Sequence, residues 1–334
     1  MYRQGNPYCI QVEFVEGCNL RCTFCGLNGI RGKDNNYKMM TLETAERVAS
    51  EMKRLKWNSR LEFAMHGEPT MNPAAPALVR TFRQHLPKAY LLMESNGGGI
   101  IGKNSAENVK TLFSEGLTTL AFDEYQNVKL VPKILDSLMQ MDPMFMRQTG
   151  DVLFEDDGFP VVFYDYPSCG NAGNPHQRNK VRRLVHIRPI DVSTSGTHAS
   201  LGNHAGAGAP KNDRAMGKRC AKPFREMSIR WDGSVSICCN DWRGEMPVGN
   251  VHEMDLDEIW HSDRFYAARH KLYHGQRDFG ACDGCDHLSY RPGILPDHLG
   301  KEELPEPSAD HLQVIEEMLK EGPLTEPVLR PWEF

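Results

Sequence analysis

The chain has 334 residues, of which 40% are hydrophobic and 25% charged, and its formal net charge is −5. This composition is that of a globular protein long enough for one large domain and a smaller one. The negative balance disfavours nucleic acid as the main partner, and no apolar stretch approaches the ~18 residues of a membrane span. Because the amino terminus also lacks the apolar segment of a signal peptide, we expect a cytoplasmic protein.

Strands and helices alternate along the first 190 residues, a pattern typical of parallel βαβ units. Predicted strands cover residues 8–15, 60–65, 89–94, 118–122, 161–166 and 184–190. Predicted helices cover 42–56 after an N-cap at Thr41, then 75–85, 106–115 ended by Gly116, and 131–141. Six parallel strands of this kind fit an α/β fold with a partial (β/α)6 TIM-like barrel.

The composition changes after the last of these strands. Residues 193–218 are rich in Gly, Ala, Ser, Asn and His, which indicates either a flexible linker or a loop that covers the substrate. The predicted divisions are a barrel domain over 1–192, the linker or lid over 193–218, a second domain over 219–287, and a tail over 288–334. The tail is rich in proline and has one short amphipathic helix near 309–320, to which we assign no chemistry.

Three cysteines directly follow the first predicted strand. Cys18, Cys22 and Cys25 form a C-x3-C-x2-C run. Three thiolates on so short a loop can hold one face of a cubane iron–sulfur cluster and leave the fourth iron without a protein ligand. An open metal position is where a substrate or cofactor binds. The alternative is a zinc site with a distant fourth ligand, although structural zinc loops usually come as two C-x2-4-C pairs. Ten cysteines without a secretion signal favour metal ligands over disulfides.

This run, with the aromatic Phe24 just before its last cysteine, resembles the motif of the radical S-adenosylmethionine (SAM) superfamily. The resemblance implies that SAM chelates the open iron of a [4Fe–4S] cluster. One electron from the cluster then cleaves SAM to methionine and a 5′-deoxyadenosyl radical. The protein's task is to hold the reactive carbon against the substrate and to exclude side reactions.

Two further strand ends resemble the SAM-binding corners of this family. His66-Gly67-Glu68-Pro69 resembles its Gly-Gly-Glu-Pro segment, with His66 in place of the first glycine. Ser95-Asn96-Gly97 resembles the Thr-Asn-Gly corner beside the SAM ribose. An ordinary turn is the alternative for each segment. The cofactor-binding residues that the resemblance implies are Phe24, Gly67, Glu68, Pro69, Ser95 and Asn96.

Catalytic residues are expected at the carboxyl ends of the barrel strands. The fourth predicted strand ends in Asp123 and Glu124, and the sixth contains His186 and Arg188. We expect Asp123 and Glu124 to face the substrate, and Arg188 to face a carboxylate or hydroxyl. Ordinary solvated charge explains each of the three equally well.

A second set of cysteines occupies the last third of the chain. A β-hairpin turning at Asp232-Gly233 would bring Cys220 back toward Cys238, and a helix near 256–273 would return the C-x2-C pair. The set resembles the auxiliary-cluster extension of many radical SAM enzymes. A set near four cysteines implies the one-cluster "twitch" form rather than the seven-cysteine SPASM form. The predicted metal ligands are Cys220, Cys238, Cys282 and Cys285, with Cys238 preferred to Cys239 on its spacing from the glycine; a four-cysteine zinc site is the alternative.

The resemblance therefore predicts a radical SAM enzyme that abstracts a hydrogen atom from a substrate at the barrel mouth. One auxiliary [4Fe–4S] cluster would accept an electron or help to position the substrate, and a flavodoxin or ferredoxin would supply reducing electrons. Oxidation of a small-molecule carbinol, as in aminocyclitol dehydrogenases, is favoured over modification of a ribosomally made peptide, because no peptide-recognition domain is visible. A nucleotide-modifying enzyme stays open. A non-catalytic iron–sulfur or zinc protein would cleave no SAM.

Overall fold

The computed structural model describes residues 5–30, 37–125, 152–156, 159–165, 183–190 and 202–288, together with Gln313 and Glu317. Its strands are β1 (Cys9–Val12), β2 (Val15–Glu16), β3 (Lys38–Met39), β4 (Arg60–Phe63), β5 (Leu91–Ser95), β6 (Thr119–Tyr125), β7 (Val152–Asp156), β8 (Phe159–Asp165), β9 (Arg183–Ile190), β10 (Glu226–Ile229), β11 (Ser234–Ser236) and β12 (Pro247–Asn250). Its α-helices are α1 (Leu42–Leu55), α2 (Ala75–His85), α3 (Ser105–Ser114), α4 (Lys222–Arg225), α5 (Leu256–Trp260) and α6 (Asp263–Tyr273).

The described strands form one sheet in the order β12–β11–β10–β1–β4–β5–β6–β9–β8–β7, beside a small β2–β3 pair. Strands β1, β4, β5, β6, β9 and β8 are parallel neighbours in this sheet. This arrangement confirms the predicted α/β fold with a partial barrel, because six parallel strands follow one another around it.

The order of the last two parallel strands differs from their order in the chain. Strand β7 pairs antiparallel with β8, so one edge of β8 is already occupied. Strand β9 therefore lies between β6 and β8 instead of following β8 at the outside. The predicted helix over 131–141 lies outside the described residues, and only Gln313 and Glu317, both helical, describe the predicted tail helix.

Local sequence explains how the first helix begins and ends. The Thr41 hydroxyl accepts a hydrogen bond from the Thr44 backbone N–H at 3.2 Å, which confirms the predicted cap of α1. The chain leaves the helix at Lys56 in the left-handed region, with φ +55°. Behind the helix, Phe14 and Phe63 stack with ring centroids 4.4 Å apart, so the end of β1 is packed against β4.

The carboxyl-terminal part extends the same sheet. Strand β10 pairs in parallel with β1, and it turns into β11 at Gly233, whose φ of +83° confirms the predicted hairpin turn. The single helix predicted near 256–273 is two helices, because the Ser262 hydroxyl accepts from the Phe265 N–H at 3.3 Å and starts a new one. No described helix is long and apolar enough to cross a membrane.

A buried arginine fastens α6 to its neighbours. Arg269 donates from Nη1 to the Trp260 carbonyl at 2.7 Å and from Nε to the Pro223 carbonyl at 2.8 Å. Its guanidinium also lies 4.1 Å from the Trp260 ring centroid. One planar cation thus joins α4, α5 and α6.

We predict that Arg269→Met lowers the free energy of unfolding, because two buried carbonyls lose their donor while the apolar stem is kept. Each acceptor left unsatisfied costs about 1–3 kcal/mol. Chemical denaturation followed by circular dichroism measures the loss. The matched control is Arg80→Met, which removes an ion pair between Glu115 and an Arg80 side chain that is 53% exposed, and should leave the midpoint unchanged. Equal shifts in the two variants would contradict the assignment.

Candidate active site

A cavity of about 130 Å³ opens where the carboxyl ends of the central strands meet the three-cysteine loop. It brings together all three predicted cysteines, five of the six implied cofactor-binding residues, and Asp123. Its lining residues are Cys18, Leu20, Cys22, Phe24, Cys25, Leu27, Ala64, Met65, Gly67, Glu68, Glu94, Ser95, Asn96, Asp123 and Trp242. The sixth implied residue, Pro69, is buried at the start of the 3-10 turn 69–71 and is not one of them.

The cysteine loop is held to the end of β4 through backbone atoms. Gly17 and Gly67 form a parallel bridge in which Glu68 N–H donates to the Gly17 carbonyl at 2.9 Å. A Cβ atom added to Gly67 would lie 2.3 Å from the Val15 carbonyl oxygen and 2.4 Å from that of Gly17. Because no side chain fits between these backbones, Gly67 permits the loop to reach the strand.

Glu68 joins the two predicted SAM-binding corners. The Ser95 hydroxyl donates to its Oε1 at 2.7 Å, and the Asn96 N–H donates to its Oε2 at 2.6 Å. Thr70 adds two more hydrogen bonds, one from its hydroxyl to Oε1 and one from its N–H at 3.1 Å. Burial raises the pKa of Glu68, and these donors oppose that shift by favouring the carboxylate. The ends of β4 and β5 are therefore tied together by one buried acidic group that also lines the cavity.

Asn96 reaches from the end of β5 to the first cysteine. Its Nδ2 lies 3.2 Å from the Cys18 sulfur and 3.1 Å from Asn19 Oδ1. Burial raises the pKa of Cys18 to about 12, so a bound metal ion has to displace its proton. Donors such as the Asn96 amide stabilise the thiolate in that exchange. Sequence reasoning placed Asn96 beside the ribose and did not predict this contact.

Only one of the three predicted catalytic residues is described as a side chain. Asp123 lines the cavity and is buried, with 8% of its surface exposed. In the β6–β9 ladder Asp123 is the register partner of Arg188, and Glu124 that of Pro189. The side chains of Glu124 and Arg188 lie outside the described part of the structure.

The second cysteine set also comes together. Burial, followed by the charges of Cys220 and Cys285, raises the pKa of Cys282. Burial likewise raises the pKa of Cys238, with further contributions from Cys239, Cys282 and Cys285. Cys282 and Cys285 are thus electrostatic neighbours of both Cys220 and Cys238. Among the described residues, no three His, Cys, Asp or Glu side chains are arranged to hold a single metal ion. A cubane cluster has a different requirement, because it binds each thiolate on a different iron.

The adjacent cysteines 238 and 239 have different surroundings. The Cys239 sulfur accepts a hydrogen bond from Lys222 Nζ at 3.2 Å, and Lys222 also forms an ion pair with Glu226 at 2.9 Å. Burial and then Cys239 raise the pKa of Cys238, which also has Lys222, Cys282 and Cys285 as electrostatic neighbours. The choice of Cys238 over Cys239 as the ligand stays a prediction.

Trp242 is the cavity residue that sequence reasoning missed. It follows Cys238-Cys239 in the chain, yet its ring lines the cavity of the first cysteine set. Its ring centroid lies 4.6 Å from that of His66 and 4.8 Å from that of His204. A tryptophan four residues after the predicted ligand Cys238 was the available sign, but the sequence does not show which surface it covers.

The described part of the predicted linker or lid packs between the two cysteine sets. At one end His204 Nδ1 accepts from the Gly26 N–H at 3.1 Å, next to Cys25. At the other, Asn203 Nδ2 donates to the Gly284 carbonyl at 2.8 Å, and Asn203 N–H donates to Asp286 at 2.8 Å. Asn203 is 1% exposed, so residues 203–207 form a largely buried connection between the cysteine loop and the C-x2-C pair, whereas most of residues 210–218 are exposed.

Comparison with known families agrees with both halves of this arrangement. A model of the radical SAM superfamily matches residues 12–123, and a model of an iron–sulfur cluster-binding domain (SPASM) matches residues 220–286. The two matched stretches contain the first and the second cysteine set respectively. The chain therefore has a radical SAM domain that implies SAM and a [4Fe–4S] cluster, and a second domain that implies an auxiliary iron–sulfur cluster.

Similar proteins of nearly the same length are also known. The chain is 21% identical over 281 residues to the S-adenosyl-L-methionine-dependent 2-deoxy-scyllo-inosamine dehydrogenase of Niallia circulans, which covers 84% of this chain and 93% of the relative. The crystal structure of BtrN in complex with AdoMet and 2-DOIA superposes with a TM-score of 0.61 at 19% identity, over 86% of this chain and 95% of that one. An open conformation of BtrN gives a TM-score of 0.53 at 18% identity, over 85% and 93%.

We predict that Gly67→Ala displaces the cysteine loop, because the new methyl group meets two backbone carbonyls. Overpacking of this kind costs about 1–3 kcal/mol of stability. Thermal unfolding and iron content after anaerobic reconstitution measure the two effects, and both should fall. Gly102→Ala is the matched control, since a Cβ there has no atom within 4 Å. Full iron loading of Gly67→Ala would show that the backbone bridge is not needed.

Proposed function

Because the chain belongs to the radical SAM superfamily, we propose that Cys18, Cys22 and Cys25 bind its catalytic [4Fe–4S] cluster and that SAM binds in the adjoining cavity. The observation that carries the proposal is the meeting of all three thiols with the Glu68 and Ser95–Asn96 corners in one cavity. When bound, the cluster and SAM supply a 5′-deoxyadenosyl radical that removes a hydrogen atom from the substrate.

The residues of the cavity have separable tasks in this proposal. Glu68 supplies a buried negative charge for the ammonium group of SAM, and its four hydrogen-bond donors keep it in place. Asn96 donates to the Cys18 sulfur, which stabilises the thiolate form that a metal requires. Phe24 and Trp242 line the same cavity with aromatic surface that excludes water from the reacting atoms.

We further propose that the net reaction oxidises an alcohol carbon of a small molecule to a carbonyl. Similarity over 84% of the chain to a 2-deoxy-scyllo-inosamine dehydrogenase supports this reaction and an aminocyclitol-type substrate. Loss of a C–H hydrogen atom leaves a carbon radical bearing a hydroxyl, which becomes the carbonyl by losing one proton and one electron. Asp123 lines the cavity and is our candidate to receive the proton.

The remaining electron needs an acceptor, and the second cysteine set supplies a place for it. We propose that Cys220, Cys238, Cys282 and Cys285 bind one auxiliary [4Fe–4S] cluster. The neighbouring charges around Cys238 and Cys282 support this set, as does the match of the cluster-binding family to residues 220–286. The enzyme also needs a reductant, for which we propose a flavodoxin or ferredoxin in an oxygen-poor cytoplasm.

We predict that reconstituted protein given dithionite and SAM forms 5′-deoxyadenosine, measured by liquid chromatography and mass spectrometry. Cys22→Ala should abolish the product, because the open cluster loses a ligand. Cys9→Ala is the control, since Cys9 is a buried core residue outside both sets. An intact cluster spectrum without any 5′-deoxyadenosine would favour a non-catalytic electron carrier.

We predict that the adjacent cysteines differ in iron binding. Two [4Fe–4S] clusters correspond to about eight iron per chain. Cys238→Ala should retain about four, because only the first cluster remains, whereas Cys239→Ala should retain about eight. Iron and acid-labile sulfide assays decide between them. The reverse pattern would assign the ligand to Cys239, and stoichiometric zinc in either variant would contradict the auxiliary cluster.

A further inference from the structure

His66 stands where the family segment has glycine, and its ring makes a contact that glycine cannot make. The residue is completely buried at the end of β4. Its Nε2 donates to the carbonyl oxygen of Cys239 at 2.9 Å. A side chain from the SAM-binding corner thus holds the backbone directly beside Cys238, a proposed ligand of the second cluster.

The other ring nitrogen faces a buried acid. His66 Nδ1 lies 2.8 Å from Glu13 Oε1, and both side chains have no exposed surface. The contact is an ion pair rather than a well-angled hydrogen bond. His66 and Arg230 hold the pKa of Glu13 below its usual range against the opposing effect of burial. Both ring nitrogens therefore face oxygen acceptors.

Glu13 is itself held by the neighbouring strands. The Trp231 N–H donates to its Oε2 at 3.3 Å, and Arg230 Nε lies 4.0 Å from the same oxygen. Glu13 follows β1, and Arg230 follows β10. The His66 ring is therefore fixed from behind by residues of the barrel and of the carboxyl-terminal hairpin together.

The ring also supports Trp242. The two centroids are 4.6 Å apart, with the rings tilted by 52°, and His204 stacks at 4.8 Å from the same indole. Trp242 lines the cavity, while Cys238 and Cys239 lie four and three residues before it, respectively. His66 consequently contacts both ends of segment 239–242, the backbone at one and the cavity-lining ring at the other.

We propose that His66 is a positioning residue that fixes segment 238–242 against the SAM-binding corner and so sets the separation between the substrate and the auxiliary cluster. The inference rests on the proposed function. Small displacements around a reacting centre cost large factors in rate. If segment 238–242 moves, the separation between the hydroxyl-bearing substrate radical and the auxiliary cluster changes, and electron transfer to the cluster becomes slower. The radical can then be quenched by one electron from the external reductant and one proton from solvent, which restores the substrate, so that SAM is consumed without product.

Three substitutions separate the hydrogen bond from the volume of the ring. His66→Gln keeps an amide N–H that reaches the Cys239 carbonyl, His66→Asn keeps the amide but shortens its reach, and His66→Leu removes the donor. The probe is the amino alcohol 2-deoxy-scyllo-inosamine with SAM and dithionite. The first measurement is the ratio of 5′-deoxyadenosine to carbonyl product. The second, independent of turnover, is the electron paramagnetic resonance (EPR) spectrum and midpoint potential of the reduced auxiliary cluster.

We expect His66→Leu and His66→Asn to raise the ratio at least roughly fivefold and to change the auxiliary signal, while the signal of the SAM-bound cluster stays as in the parent. His66→Gln should remain within about twofold of the parent. The matched control is His85→Leu, which removes a contact with Glu46 on the outer helices and should change neither readout.

An unchanged ratio and an unchanged auxiliary signal in His66→Asn would overturn the inference, even if His66→Leu fails to fold. Equal disturbance of both cluster signals would also overturn it, since that outcome indicates general loosening. If the parent protein forms no 5′-deoxyadenosine, the proposed function fails. If it forms 5′-deoxyadenosine without oxidising this amino alcohol, the substrate assignment fails. In either case the auxiliary potential of His66→Asn against His66→Gln still decides the positioning role.

Discussion

Close approach of two backbones at Gly17 and Gly67 is the constraint on which the rest of the structure depends. It brings the three-cysteine loop to the carboxyl end of β4, where a side chain on Gly67 would collide with two carbonyl oxygens. Glu68, the next residue, extends this junction to β5 by accepting hydrogen bonds from Ser95 and Asn96. Burying a carboxylate costs free energy unless hydrogen-bond donors of this kind satisfy its oxygens. The same bonds that stabilise its charge therefore give the cavity its shape.

The second cysteine set is positioned by the same sheet rather than by a separate body. Strand β10 continues the parallel ladder at β1, so the hairpin that leads to Cys238 is in register with the strand that leads to Cys18. The connection through Asn203 and His204 joins the two cysteine sets again on the side of the C-x2-C pair. Two links of different kinds restrict how far one set can move relative to the other.

Much of the chemistry is predictable locally, and the reasons are physical. The spacing of Cys18, Cys22 and Cys25 is itself the geometry of a short metal-binding loop. The Thr41 cap and the turn at Gly233 also form as predicted, because each depends on a hydrogen bond or a φ value within a few residues. By contrast, the hydrogen bond from Lys222 to the Cys239 sulfur joins two elements, and no local pattern predicts it.

The sequence by itself determined the cysteine loop, the alternation of strands and helices, and the strand ends that carry Gly67, Glu68 and Asn96, since each follows from residue types at short spacing. Only the tertiary structure decided the exchange of β8 and β9, the entry of Trp242 into the cavity, and the contact of His66 with Cys239. These features join residues far apart in the chain. The order of strands in a sheet and the side-chain contacts between elements depend on competition among all possible pairing partners. A local sequence pattern does not contain that information.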